Sequence, residues 1–280
     1  MGYHIIMDSV GDRSKELLAR QNFSVAPLEL IIDDEEFIDN TQLDQGMLLS
    51  KIARAKDCPR SACPSPAEYK KIFEKHKEDR IYVVTASSEL TGSYNSAKIG
   101  KNLFLEEFPS AKIKVFDSKS ASAGQTLLVH KIIQYEKAYN DFEKVIEKAN
   151  EFTKKHEIIF VLEDITFLQQ NGRLTGIQAL LATALHIVPI LNGDEHGIIR
   201  QMAKTRGIKR AIKKLKETII EGVKKGKKEL LVISHCNCLE RAEDLKSDLI
   251  ILFPELDVKI VDTGGIATLY AGKGGIVVSY

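Results

Sequence analysis

Hydroxyl and glycine residues crowd the stretch Ser87-Ser88-Glu89-Leu90-Thr91-Gly92-Ser93, directly after the apolar, β-branched run Ile81-Tyr82-Val83-Val84-Thr85. The run reads as a buried strand, and a helix-like pattern resumes at Ser93 and continues to about Phe108. A strand that empties into short hydroxyls before a helix leaves free backbone N–H groups beside the positive end of the helix dipole. Such a point can hold an anion. Ordinary capping of the helix by Ser or Thr uses the same residue types, so the spacing alone leaves both outcomes open.

Other side chains with reactive chemistry are scattered. Cys63 precedes Pro64 and could act as a nucleophile with His235 as its base, or be a spectator thiol. Arg173 follows Gly172 and can reach an anion or pair with a carboxylate. Cys58, Cys63, Cys236 and Cys238, with His235 among them, are spaced Cys-x4-Cys and Cys-x-Cys. Neither spacing matches paired zinc knuckles, so free thiols are expected and no metal. A nucleophile elbow, a Walker loop, a dinucleotide fingerprint and a His-Glu-x-x-His helix are all missing from the sequence.

These groups must be positioned by a strand–helix alternation that runs the length of the chain. A first strand ends in Asp8-Ser9, and a second is expected from Ser24 to Ile32. Ser65-Pro66-Ala67-Glu68 is a capping box with proline at the first helical position, which pins the loop Arg60-Ser61-Ala62-Cys63-Pro64 before it. The strand Ala111 to Phe116 runs into Asp117-Ser118-Lys119-Ser120, and two helices follow, Ala121 to Lys137 and Asp141 to His156. Ile158 to Leu162 opens a second domain, whose next helix is stopped by Asn171-Gly172. A helix around Ile177 to Leu185, a strand Ile187 to Leu191 and a turn at Asn192-Gly193 come next. Strands Glu229 to Ser234 and Val258 to Asp262 lead to a glycine-rich segment, Gly264 to Gly275, and a last strand, Ile276 to Tyr280. The alternation predicts α/β layers with largely parallel sheets, in which ligands gather beyond the carboxyl ends of the strands. Asp8-Ser9, Ser87-Ser88, Asp117-Ser118 and Asp262-Thr263-Gly264 all fall at such ends, which favours a polar or anionic headgroup there.

The composition bounds the partners. At 280 residues, 44% hydrophobic and 28% charged, the chain can build two cores of ordinary globular type. A net charge of +1 gives no electrostatic reason to expect nucleic acid. The apolar stretch Ala179 to Leu191 is broken by His186 and Pro189 and is too short to span a bilayer. The opening Tyr3-His4-Ile5-Ile6-Met7 lacks the layout of a signal peptide, so the expected location is cytoplasmic. From Lys204 to Lys216 the cations Lys204, Arg206, Lys209, Arg210, Lys213, Lys214 and Lys216 alternate with apolar residues at helical spacing. The expectation is one helix with a cationic outer face, either solvated or docking an acidic protein or an anionic membrane surface. No aromatic residues interleave the charges, as single-stranded nucleic acid would need.

Taken in order, these stretches resemble the DegV family of bacterial fatty-acid-binding proteins, the acyl-carrying subunits of fatty acid kinase. The likeness covers nearly the whole chain. It lies in Asp8-Ser9, in Ser61-Ala62-Cys63-Pro64-Ser65-Pro66, in Ser87-Ser88-Glu89-Leu90-Thr91-Gly92-Ser93-Tyr94, and in Asp117-Ser118-Lys119-Ser120-Ala121. It continues in Asn171-Gly172-Arg173-Leu174 and Lys204-Thr205-Arg206-Gly207. The resemblance implies two α/β domains, 1–156 with a largely parallel sheet and a carboxylate site, and 157–280 with a mixed sheet and the acyl chain. It implies a long-chain fatty acid as ligand, no cofactor, no metal and no catalysis by this chain itself. The carboxylate is presented to a separate kinase, and a transient contact with a membrane surface is compatible with that role. The site residues implied are Ser61, Ala62, Ser87, Ser88, Thr91, Gly92, Arg173 and Tyr270, with Lys204 and Arg206 docking the kinase. Three positions depart from the family pattern: Ala62 replaces a hydroxyl, Glu89 replaces a glycine, and Tyr270 stands where histidine is usual. The rival expectation is an enzyme acting on a small carboxylated or phosphorylated metabolite at the same anion site.

Overall fold

A computed structural model of the protein describes residues 2–174, 187–226 and 228–280. The chain begins β1 (Tyr3–Asp8), α1 (Lys15–Leu18), β2 (Phe23–Ala26), β3 (Glu29–Ile32), β4 (Glu35–Ile38) and α2 (Gln45–Arg54). It continues with β5 (Arg60–Ala62), α3 (Pro66–Glu74), β6 (Arg80–Thr85), α4 (Ser93–Glu107), β7 (Ile113–Asp117), α5 (Ala123–Tyr139) and α6 (Phe142–Thr153). The second half holds β8 (Ile158–Val161), α7 (Thr166–Gln170), β9 (Ile187–Gly193), β10 (Ile199–Arg206), α8 (Ile208–Gly226) and β11 (Leu230–His235). It closes with α9 (Leu239–Leu252), β12 (Asp257–Asp262), α10 (Gly265–Ala271) and β13 (Ile276–Ser279). The helix expected around Ile177 to Leu185 lies outside the described residues.

Strands β2-β1-β6-β7 make a parallel sheet. Because successive strand residues point to opposite faces, Ile5, Met7, Tyr82 and Val84 pack under α5 and α6, while Ile6, Ile81 and Val83 pack under α3 and α4. The second sheet, β10-β9-β8-β13-β11-β12, is mixed, as the family resemblance implies. One face lies against α8, whose Ala211, Leu215, Ile219 and Val223 recur every fourth residue, and against α9. Its other face meets α5 through Ala123 and Leu127. Helix α5 is therefore wedged between the two sheets, and its buried residues lie all round it rather than on one stripe. A third, antiparallel sheet, β4-β3-β5, sits at the domain interface with α2 and α10 packed in the same core.

Four local expectations need correction. The strand expected from Ser24 to Ile32 is two strands, because Pro27 has no N–H to donate to a ladder and the chain turns there from the parallel sheet into the antiparallel one. Part of the loop expected at Arg60 to Pro64 is β5, with Ser61 paired to Leu30. The expected helix from Lys204 begins only at Ile208: Lys204 and Arg206 belong to β10, and Gly207 at φ +84° turns the strand into α8. Strand β10 also moves the preceding turn from Asn192-Gly193 to the segment after β9, where Asp194 Oδ1 accepts from the N–H groups of His196 (3.0 Å) and Ile198 (2.9 Å). The capping box holds, with Ser65 Oγ accepting from Glu68 N at 3.2 Å and Glu68 Oε2 accepting from Ser65 N at 2.6 Å.

Candidate functional site

Between the domains lies a cavity of about 860 Å³, its mouth included. Its wall is mostly apolar: Val10, Leu28, Leu90, Ile158, Phe160, Leu162, Leu168, Ile199, Ile266 and Val277 come from both domains. Ser61, Thr91, Arg173 and Tyr270 also line it. The hydroxyls of Ser61 on β5 and Tyr270 on α10 are in hydrogen-bond contact at 3.2 Å, although the residues are far apart in sequence. The Arg173 guanidinium lies 6.0 Å from the centre of the Tyr270 ring, donates from Nε to Leu90 O at 3.2 Å and from Nη1 to Asn171 O. A cation held over an aromatic face beside two hydroxyls can bind and orient one carboxylate.

The position of that cluster follows from its neighbours. Asn171, the C-cap of α7, donates from Nδ2 to Phe167 O (2.9 Å) and to Pro59 O (3.1 Å), which ties the turn carrying Arg173 to the start of β5. Gly172 takes φ +73°, the conformation that closes the helix there. Nothing local in the sequence marks Asn171 as a link to Pro59.

The Ser87 turn behaves differently from the expectation. Ser87 Oγ donates to Gly197 O (2.9 Å) at the tip of the β9–β10 turn, so this hydroxyl joins the domains. Ser88 donates through Oγ to Asp117 Oδ2 (2.6 Å) and through its backbone N–H to Asp117 Oδ1 (3.2 Å). The N–H groups of Leu90 and Thr91 go to Ser87 O. The anion in this turn is thus the chain's own Asp117, itself paired with Lys119 Nζ at 3.0 Å. Ser87, Ser88, Ala62 and Gly92 do not line the cavity, whereas Ser61, Thr91, Arg173 and Tyr270 do. Gly92 caps α4 without a side chain, and a Cβ there would stand 3.3 Å from Cys63 Sγ.

Carboxylates that the sequence reading left without a role organise the strand ends. Asp8 is fully buried and accepts from Ala86 N (2.9 Å), Val10 N (3.2 Å) and Gln125 Nε2 (2.8 Å). Burial pushes its carboxyl above the usual range, against the pull of those bonds. Asp12 accepts from Ser122 Oγ and from Gly264 N (2.8 Å), and burial pushes it up to about 6. Asp39 accepts from the N–H groups of Gly265 and Ile266, each at 2.9 Å. Asp8 was marked by its own strand end, Asp8-Ser9, whereas Asp12 and Asp39 had no signal beyond the Asp262-Thr263-Gly264 end that they complete.

Cys63 and His235 are not joined. Burial, with Asp8 and Glu68 adding negative charge nearby, pushes the Cys63 thiol up, away from the nucleophilic thiolate. His235 Nε2 faces Asp262 at 3.4 Å, and burial pulls its ring below the usual value. The cysteines are free thiols. Lys204 and Arg206 are exposed on β10, an edge strand of the mixed sheet. Among the described residues, no helix is long and apolar enough to cross a membrane.

Comparison with known proteins matches residues 3–280 to the family profile described as "Uncharacterised protein, DegV family". A DegV domain-containing protein of Streptococcus gordonii is 32% identical over 286 residues, covering 100% of this chain and 99% of the relative. Among solved structures, a DegV family protein from Ruminococcus gnavus, refined with vaccenic acid, is 42% identical with a TM-score of 0.94 over 99% of each chain. The Streptococcus pneumoniae fatty acid kinase (Fak) B3 protein loaded with linoleic acid is 30% identical with a TM-score of 0.91, covering 100% of this chain and 99% of that one.

Proposed function

The chain belongs to the DegV family, and we propose that it carries a long-chain fatty acid in the interdomain cavity and presents the carboxylate to a separate kinase. The single observation that carries this is the asymmetry of the cavity. A long apolar wall drawn from both domains meets a minority of polar groups, Ser61, Thr91, Arg173 and Tyr270 with Lys119, Ser120 and Ser122. A fatty acid has the same asymmetry. Burying about fifteen methylenes at ~0.8 kcal/mol each gives a gross term of roughly 12 kcal/mol. Charge-assisted hydrogen bonds to the carboxylate add about 1.5–3 kcal/mol each, and the loss of free motion offsets part of the sum. The wall therefore supplies affinity, and the polar cluster supplies orientation. The ligand-bound relatives from R. gnavus and S. pneumoniae support this assignment.

The chain would act as a carrier in the cytoplasm, with the chemistry done by its partner. Lys204 and Arg206 stand on the exposed face of β10 and would dock an acidic patch of the kinase. The cationic side of α8 offers a surface for a passing contact with anionic lipid. Native mass spectrometry of the purified protein tests the assignment directly: the expected result is an additional mass equal to a long-chain fatty acid, and a chain that neither co-purifies with nor takes up such an acid overturns it. Arg206→Glu should abolish kinase-dependent phosphorylation of the bound acid and leave its binding unchanged. A parallel loss of both would place Arg206 in the ligand site or the core instead.

A further inference from the structure

We infer that Asp39 is a positioning residue for the headgroup site: it holds the first turn of α10 from across the domain interface and so sets Tyr270 against Ser61. This rests on the fatty-acid assignment proposed above. Helix α10 supplies one face to the cavity through Ile266, Ala267, Tyr270 and Ala271. It runs only from Gly265 to Ala271, about 10 Å at 1.5 Å per residue, so a displacement of its first turn is transmitted to Tyr270. Its N-cap, Gly264, has no side chain to satisfy the leading N–H groups.

Asp39 does that work instead. Oδ1 accepts from Gly265 N and Oδ2 from Ile266 N, each at 2.9 Å. The carboxylate is fully buried, and Arg13 Nη2 reaches Oδ1 at 2.8 Å while Arg13 Nη1 donates to Asp39 O at 3.0 Å. The glycine pair makes room for this clamp. A Cβ on Gly264 would stand 2.7 Å from Arg13 Nη2, and one on Gly265 would stand 2.9 Å from Asp39 Cγ and 2.6 Å from Leu43 Cδ2. Asp39 itself does not line the cavity, so it acts on a ligand only through α10.

The test is a double-mutant cycle on the delipidated full-length protein, with oleic acid affinity read by calorimetry. Asp39→Asn should weaken binding about five- to tenfold when Tyr270 is present and less than about twofold in the Tyr270→Phe background. Gly265→Ala, which wedges the same contact, should follow the same pattern and decides the matter if Asp39→Asn does not fold. Leu249→Ala, on the buried face of α9, should lower the melting temperature and leave affinity unchanged, which separates a positioning effect from general loss of stability. An equal loss in both Tyr270 backgrounds, or no loss in either clamp variant, overturns the inference while the fatty-acid assignment stands. Failure of the wild-type protein to bind oleic acid overturns both.

Discussion

The Ser87 turn and the Ser61–Tyr270 pair both present hydroxyls, yet of the two only the pair lines the cavity. In the turn, Ser87 is taken by Gly197 O and Ser88 by Asp117. Ser61 and Tyr270 touch one another and line the cavity. A hydroxyl beside a helix N-terminus is a ligand group only if no internal acceptor or anion has already claimed it. The start of α10 repeats the lesson, since its N–H groups are occupied by Asp12 and Asp39. Two strand ends that a spacing argument marks for an external anion are filled by the chain's own carboxylates. The Ser61–Tyr270 pair, which does line the cavity, lies where distant segments meet.

The largest effect expected from this contrast concerns the ligand itself. If the polar groups orient and the apolar wall binds, shortening a palmitate-length acid by about eight methylenes should cost about 6 kcal/mol, roughly a 10⁴-fold loss of affinity. Similar dissociation constants for the two acids would show that the polar groups carry the affinity and would break the division of labour.

One of the carboxylates at the filled sites, Asp12, answers to pH. Asp12 titrates near 6 in the native protein against an ordinary value of 3.8. Its pKa is raised, so the native state binds the extra proton. The stability this contributes is complete below about pH 4 and is lost as pH rises through about 6. Asp12→Asn, which stays neutral, should therefore gain on the wild type by on the order of 3 kcal/mol between about pH 4 and pH 7. Urea unfolding of both forms across that range measures it, and a constant difference would return Asp12 to the ordinary carboxylates.

Smaller effects separate the two hydroxyl clusters. Tyr270→Phe and Ser61→Ala should each weaken fatty-acid binding by about 1 kcal/mol. Ser88→Ala should leave binding unchanged and lower stability by about 1 kcal/mol, because Asp117 loses a donor. If Ser88→Ala weakened binding as much as Ser61→Ala, the two clusters would form one site.

What the sequence made legible was local. The run that became β6 is continuous and β-branched, and the capping box at Ser65 fixes the start of α3 through residues three apart. The domain-bridging contacts have no such signature. Ser61 meets Tyr270, and Ser87 meets Gly197, only because two sheets are brought together. For the same reason, spacing pointed to the serine turn, and it was the family resemblance that grouped Ser61 with Arg173 and Tyr270. Strand β10 was missed because its alternation runs straight into the helical period of α8, and Gly207 was the only mark of the change.

That edge strand has a consequence for solubility. A strand at the rim of a sheet offers a row of backbone donors and acceptors to any neighbouring chain, and an unguarded rim invites sheet-to-sheet aggregation. Here the pairing of β10 with β9 slips between Gln201 and Ala203, and Arg200, Lys204 and Arg206 project from the exposed positions. The irregularity and the repelling charges discourage a second copy from extending the sheet. Whatever protein approaches this rim meets cationic side chains first, which favours a contact that can be released over a ladder that zips shut.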